Sequence, residues 1–247
     1  MNKRRFLYLT TIFAAFALPI SLVTYKLVVL DYPLAAVVPA VSYQVEVIMD
    51  VDGHQDDISL RTFLPRSDNR QTISDEGNNS GVFSLAIEQD PANRIATWTA
   101  QAVEGRHSVR YSYTAIADHV RYVIPAGLPI PKKYPAWLDE YLLPEKGLDM
   151  EDPLVIKEVV KVVPEAEPTL LESLTRIHRH LQDNFANRDF SGYTNAATAL
   201  KLGEASCNGK GRLFVSMARK LNIPARLVGG VIMESTTKRT SHQWVVL

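Results

Sequence analysis

Cysteine is almost absent from this chain: one, Cys207, occurs in 247 residues. A single thiol excludes an internal disulfide framework, and without a CxxC pair or a Cys/His cluster no zinc site is expected. Neither sign of charge is in excess, since Lys+Arg and Asp+Glu both number 27. A formally neutral chain offers no broad basic surface, so nucleic acid is not an expected partner. Gly209-Lys210-Gly211 lacks the glycine-to-lysine spacing of a phosphate loop. Nothing in the sequence implies a cofactor or a metal.

Long uncharged runs are also scarce, and the exception lies at the start. Lys3-Arg4-Arg5 precede Phe6 to Tyr25, which carry no charge. That run matches the roughly 20 residues a helix needs to cross a bilayer. The basic flank predicts a cytoplasmic N-terminus and an extracytoplasmic remainder. A cleaved signal peptide, with Val38-Pro39-Ala40 at the cut, is the competing reading. The apolar stretch exceeds the ~7–15 residues of a signal core, which favours an uncleaved anchor over residues 1–30.

From Val41 to Ala117 the periodicity is two. Tyr43, Val45, Val47 and Met49 alternate with polar neighbours up to an expected turn at Asp52-Gly53. Further strands are expected over 58–64, 82–87, 95–102 and 108–117, with Ser67 to Gly81 a polar turn. Five such strands suggest an antiparallel sandwich over 41–117. Residues 118–168 are rich in proline and read as a connector, within which Tyr134, Trp137, Leu138, Tyr141 and Leu142 can form a short docking helix. Thr169 to Phe185 has helical spacing behind a Thr169/Glu172 capping box. His178 and His180 on it, two residues apart, share no face and read as a solvated pair. A shorter helix over 195–202 leads to Gly203.

The chemistry-bearing stretch is Gly203 to Gly230. Leu213, Phe214, Met217, Ala218 and Leu221 give a helix with one buried face, and Ser206 is a candidate N-cap. Cys207 then lies in the first turn, where the helix dipole favours a thiolate, and Lys210 in the same turn can add to that effect. Pro224 closes the helix, and Ala225 to Met233 reads as a strand. Ser241 to Leu247 reads as another strand, carrying His242 and Trp244. A cysteine heading a helix and a histidine on the packed sheet are the parts of a thiol–imidazole pair, nucleophile and base. Arg226 is expected to anchor the sheet end, and Trp244 to pack.

Cys207, Phe214, Ala218-Arg219, Ile223-Pro224-Ala225-Arg226, Val228-Gly229 and His242-x-Trp244 together resemble the core of bacterial transglutaminase-like domains. The resemblance implies a papain-like α+β core over 169–247, with Cys207 as nucleophile and His242 as its base. The family's orienting aspartate has no counterpart before Leu247, so the core is expected to be truncated. Val245 departs from the acidic residue many such domains carry after His-x-Trp. The layout of anchor, β region, connector and core resembles an inactive transglutaminase fused to seven transmembrane helices. That implies a bacterial inner-membrane protein with its main domain periplasmic. The expected function is a binding or regulatory ectodomain with weak or no turnover, facing a peptide or protein ligand. The alternative is an active Cys-His acyltransferase or peptidase acting on carboxamide or peptide bonds.

Overall fold

The computed structural model describes residues 3–29, 41–164, 168–188, 194–233 and 241–247. The Val38-Pro39-Ala40 segment and the loop 234–240 lie outside the described residues. The chain divides into two compact units, Met1–Val120 and Arg121–Leu247. Its elements mix helices with antiparallel strands, the α+β class expected.

The first unit opens with helix α1, Lys3–Val28, 26 residues long, with Pro19 inside it. Its side chains are described at Tyr8, from Phe13 to Lys26 and at Val28. Phe13, Phe16, Leu18 and Ile20 are exposed there. Among the described residues no helix is long and apolar enough to cross a membrane.

Four strands follow: β1 Val41–Phe63, β2 Gln71–Asn79, β3 Ser84–Gln89 and β4 Arg94–Ala117. β1 and β4 pair antiparallel along their whole length, with β2 on the later half of β4 and β3 on its earlier half. The period-two reading holds: Tyr43, Val45, Val47 and Met49 face Ala115, Tyr113, Tyr111 and Val109 on one side of the sheet. Two expectations are corrected. Asp52-Gly53 is not a turn. The strand runs through it, bulging between His54 and Ile58, because β4 is continuous opposite and supplies hydrogen bonds throughout. The polar stretch 71–79 is not a loop either. As an edge strand it needs only one apolar face, and β4 satisfies its backbone.

Trp98 and Tyr111 lie on the same strand, which would separate them by about 43 Å if straight. Their rings nevertheless meet at 6.0 Å, edge to face. β4 therefore folds back on itself, which gives the sandwich-like layering from a bent hairpin. The bend falls where Gly53 meets Gly105, and a side chain at Gly53 would collide with the Val103 carbonyl at 2.4 Å. Trp98 is fully buried, and its Nε1 donates to Asn78 Oδ1 at 2.9 Å. The Asn78 amide also donates to Ser80 Oγ, so both ends of its carboxamide are committed to structure.

In the second unit the proline-rich segment holds a 3-10 helix, Ala136–Leu142, where a docking helix was anticipated. It also holds α2, Pro153–Val162, started by the Asp152 side chain accepting from Leu154 N–H with proline in the first turn. The sequence there mixes apolar and charged residues, yet Val155 and Val159 share one buried face. Helix α3, Leu170–Asn184, buries Leu174, Ile177 and Leu181. The short strands β5, Ala186–Asn187, and β6, Glu204–Ala205, pair in parallel and flank α4, Ala196–Leu202. Helix α5, Cys207–Lys220, is central: Leu213 and Met217 pack with α2, α3 and α4, whereas Val215 and Ala218 pack with Ile223 and Ala225. Strands β7, Arg226–Val231, and β8, Ser241–Val246, form an antiparallel pair against α5.

Candidate functional site

Cys207 is the first residue of α5 and its thiol is exposed. Ser206 holds the N-cap conformation, although its hydroxyl makes no capping bond. The parallel ladder delivers the chain to this point: Ala186 N–H donates to the Gly203 carbonyl and Arg188 N–H to that of Ala205. The α5 N–H groups of the first turn have no helical acceptor, which is the usual setting for binding an oxyanion. Gly209 is buried and a side chain there would meet Ala205 and Thr194.

Lys210 is engaged by the β5 segment. Its Nζ donates to the Phe185 carbonyl and to Asn187 Oδ1, both at 2.6 Å. The ammonium thus straps the β5 segment to the first turn of α5. Asn208, next to Cys207, accepts from Arg212 Nε at 2.6 Å.

His242 is half-buried on β8, opposite Gly230. Its ring stacks on Trp244, centroids 6.4 Å apart and planes at 26°. Trp244 in turn lies over Gly230, where an added Cβ would sit 2.5 Å from the indole. Among the described residues no hydrogen bond joins the Cys207 thiol to this ring. Successive strand residues point to opposite faces, so His242, Trp244 and Val246 share one face and Gln243 and Val245 the other. Helix α5 covers the second face: a Cβ at Gly211 would meet Leu227 at 2.6 Å and Val245 at 3.9 Å. Cys207 lies four residues before Gly211, on the same side of α5. The helix and strand are brought together, and by strand alternation His242 falls on the face of β8 opposite to that of Val245.

Other expected residues have clear places. Arg226 anchors the sheet as anticipated, through a tyrosine: Nη1 donates to Tyr141 Oη at 3.1 Å and the guanidinium lies 5.1 Å over that ring. His178 is exposed. His180 is not solvated, which corrects the sequence reading. Its side chain is 12% exposed, with Nε2 2.9 Å from Glu158 Oε1. Its ring packs edge-on against Phe185. Burial pushes the imidazole below the ordinary histidine range, against the opposing pull of Glu158. Sequence reasoning named Arg219 only within the family resemblance and gave it no role, and passed over Gln243. Arg219, 5% exposed, donates from Nε to the Ala225 carbonyl at 2.8 Å and from Nη1 to that of Leu143, tying α5 to β7 and the connector. Among the described residues no group of three or more His, Cys, Asp or Glu could hold a metal ion.

Comparison with known proteins gives this arrangement its class. Residues 157–247 match the transglutaminase-like superfamily core. Residues 25–188, most of the chain, match the inactive transglutaminase fused to seven transmembrane helices, and the chain belongs to that family. No curated protein matches it. A candidate cysteine protease from Cytophaga hutchinsonii shares the fold at a TM-score of 0.63 and 14% identity, covering 83% of this chain and 74% of that one. The periplasmic domain of TgpA from Pseudomonas aeruginosa, bound to ethylmercury, aligns with a TM-score of 0.36 and 15% identity over 84% of this chain and 68% of that one.

Proposed function

We propose that this chain is a membrane-anchored, extracytoplasmic transglutaminase-like module that binds or regulates without turnover, as the ectodomain of a multi-spanning membrane protein. The reading is supported by the β7–β8 register, in which strand alternation puts His242 and its stacked Trp244 on the opposite face of β8 from Val245. A thiol without an imidazole to take its proton is a poor acyl-transfer nucleophile. The engagement of Lys210 by Phe185 and Asn187 points the same way. What remains is a core with an exposed cysteine at the head of α5, read as a surface for a peptide or protein segment.

The anchor is supported by α1. Its sequence holds the uncharged run Phe6 to Tyr25, about the 20 residues that a membrane-spanning helix needs. Phe13 at 75%, Phe16 at 67% and Leu18 at 75% exposure are expected to meet lipid. Lys3, Arg4 and Arg5 keep the N-terminus in the cytoplasm of a bacterial inner membrane, with the rest periplasmic. Two measurements test the reading. Alkaline carbonate should leave the full chain in the membrane fraction, with Cys207 open to an impermeant maleimide from the periplasmic side. Purified protein should release no ammonia from a glutamine-containing peptide above the Cys207→Ala background; release that depends on Cys207 would overturn the non-catalytic part.

The exposed position of Cys207 at the head of α5 favours a second reading, a thiol acyltransferase or peptidase. It requires His242 to reach the α5 side of β8. Loss of peptide turnover in both Cys207→Ala and His242→Ala would establish it.

A further inference from the structure

In the first unit β1 is the last strand of its sheet and pairs with β4 on one side only. Among the described residues no backbone hydrogen bond reaches its other side. About every second residue of this 23-residue strand therefore turns an unpaired N–H and C=O outward.

The side chains along that edge are incompletely covered as well. On the core side of the sheet Val109, Tyr111, Tyr113 and Ala115 of β4 are buried. Their partners Met49, Val47, Val45 and Tyr43 point to the same face and are only half-buried. Cover that is complete over β4 stops one strand short. A row of apolar side chains beside an unpaired backbone is what an added strand would bury. Its ladder takes up the free N–H and C=O groups, and its alternate side chains extend the apolar row.

Charge selects the kind of strand. Residues 41–60 contain Glu46, Asp50, Asp52, Asp56 and Asp57 and no lysine or arginine. Glu46, Asp50 and Asp52 are exposed, on the face of β1 opposite the apolar row. Arg110 and Arg106 of β4 approach Glu46 and Asp52 from the paired side, at 3.4 Å and 3.6 Å. Among the described residues Asp50, between them, has no ion-pair partner. A second copy of β1 would set like charges together: paired antiparallel about Ile48, Glu46 meets Asp50 of the copy, which is destabilising. A strand with basic residues at alternate positions meets these carboxylates instead, while the apolar residues between them continue Val45, Val47 and Met49.

We infer that the outer edge of β1 is a docking site for an extended segment of a partner protein in which basic and apolar residues alternate, added as a further strand of the sheet. It involves neither Cys207 nor turnover, so it stands or falls apart from the reading of the second unit.

The probe is a peptide alternating lysine with valine, acetylated and amidated, added to the full-length chain in detergent. Amide exchange read by mass spectrometry reports on β1 itself. With the peptide at ten times its Kd, exchange at the outward amides of residues 42–52 should slow roughly tenfold, since those amides exchange only in the free chain. Glutamate in place of lysine should abolish the effect. So should proline in place of valine, which keeps the charge and removes ladder donors. Asp50→Lys, at an exposed position, should weaken binding roughly three- to thirtyfold by exchanging an attraction for a repulsion, with Asp50→Asn between the two. Absence of binding at about 1 mM peptide overturns the inference. So does equal protection by the glutamate or proline peptide, protection confined to β2 or β3, or an Asp50→Lys chain that binds unchanged. Slow exchange over residues 42–52 in the free chain that dilution relieves would assign the edge to a second copy, and overturns it too.

Discussion

Replacing Arg219 with methionine probes how the second unit holds α5 in place. The guanidinium is buried and donates to the carbonyls of Ala225 and Leu143, with Glu145 3.4 Å from Nη2. Each hydrogen bond from a charged donor is worth about 1.5–3 kcal/mol, so two give roughly 3–6 kcal/mol. Part is returned because the buried cation no longer has to be desolvated, and methionine fills most of the volume. A net loss of about 2–4 kcal/mol is expected. Amide exchange over Leu213–Ala218 reads it directly, since those amides open only when α5 comes away from the core. Protection should fall roughly 30- to 1,000-fold at tenfold per 1.4 kcal/mol. Arg219→Lys should recover less than half of the loss, because an ammonium cannot serve two carbonyls from a fixed fork. A drop of less than about threefold in Arg219→Met would refute the reasoning.

Other predictions follow from charges and close contacts. Glu76 is held below the usual carboxylate range by hydrogen bonding from Arg94. Its contribution to the first unit is present above the ordinary value near 4.5 and lost as pH falls below it, so Glu76→Gln should flatten the acid limb of a stability–pH curve. Burial, reinforced by Glu76, pushes the Tyr111 phenol up to about 12. Stability should therefore decline from about pH 10 toward 12, and phenolate absorbance should lose its latest transition in Tyr111→Phe. Burial holds His180 below 6.5, so the unfolded chain takes up its proton first. The packing of α2 on α3 should weaken as pH falls through that value, and His180→Phe should abolish the acid-dependent exchange in these helices. Gly53→Ala drives a methyl into the Val103 backbone and should cost about 3 kcal/mol, against about 1 kcal/mol for Gly211→Ala, where the obstacle is the mobile end of Leu227. Urea midpoints for each unit compare the two.

Elements whose own residues decide their conformation were legible in the sequence. Helices α3, α4 and α5 carry apolar spacing and start signals, and β1 and β4 alternate over long runs. What escaped was set by partners distant in sequence. β2 is polar and becomes a strand because β4 lies beside it. The Asp52-Gly53 pair looks like a turn, and only the continuity of β4 opposite makes it a bend. Within the site, Cys207 could be assigned to the helix start from Ser206 and the spacing that follows. The face on which His242 lies depends on the pairing of Gly230 with it and on which side α5 takes, and neither is encoded in the His-x-Trp motif. Arg219 entered only through the family resemblance and Gln243 gave no signal, because an isolated polar residue in an apolar run announces neither burial nor partner.

The separation of thiol and imidazole is tested most directly by the pH dependence of Cys207 alkylation in the unaltered chain and in His242→Ala. With the ring on the uncovered face of β8, the two profiles should superimpose from pH 5 to 10, a range that brackets the titration of an ordinary imidazole and thiol at about 6.5 and 8.5. A low-pH limb of reactivity present only when His242 is present would show a working thiol–imidazole pair and contradict the account.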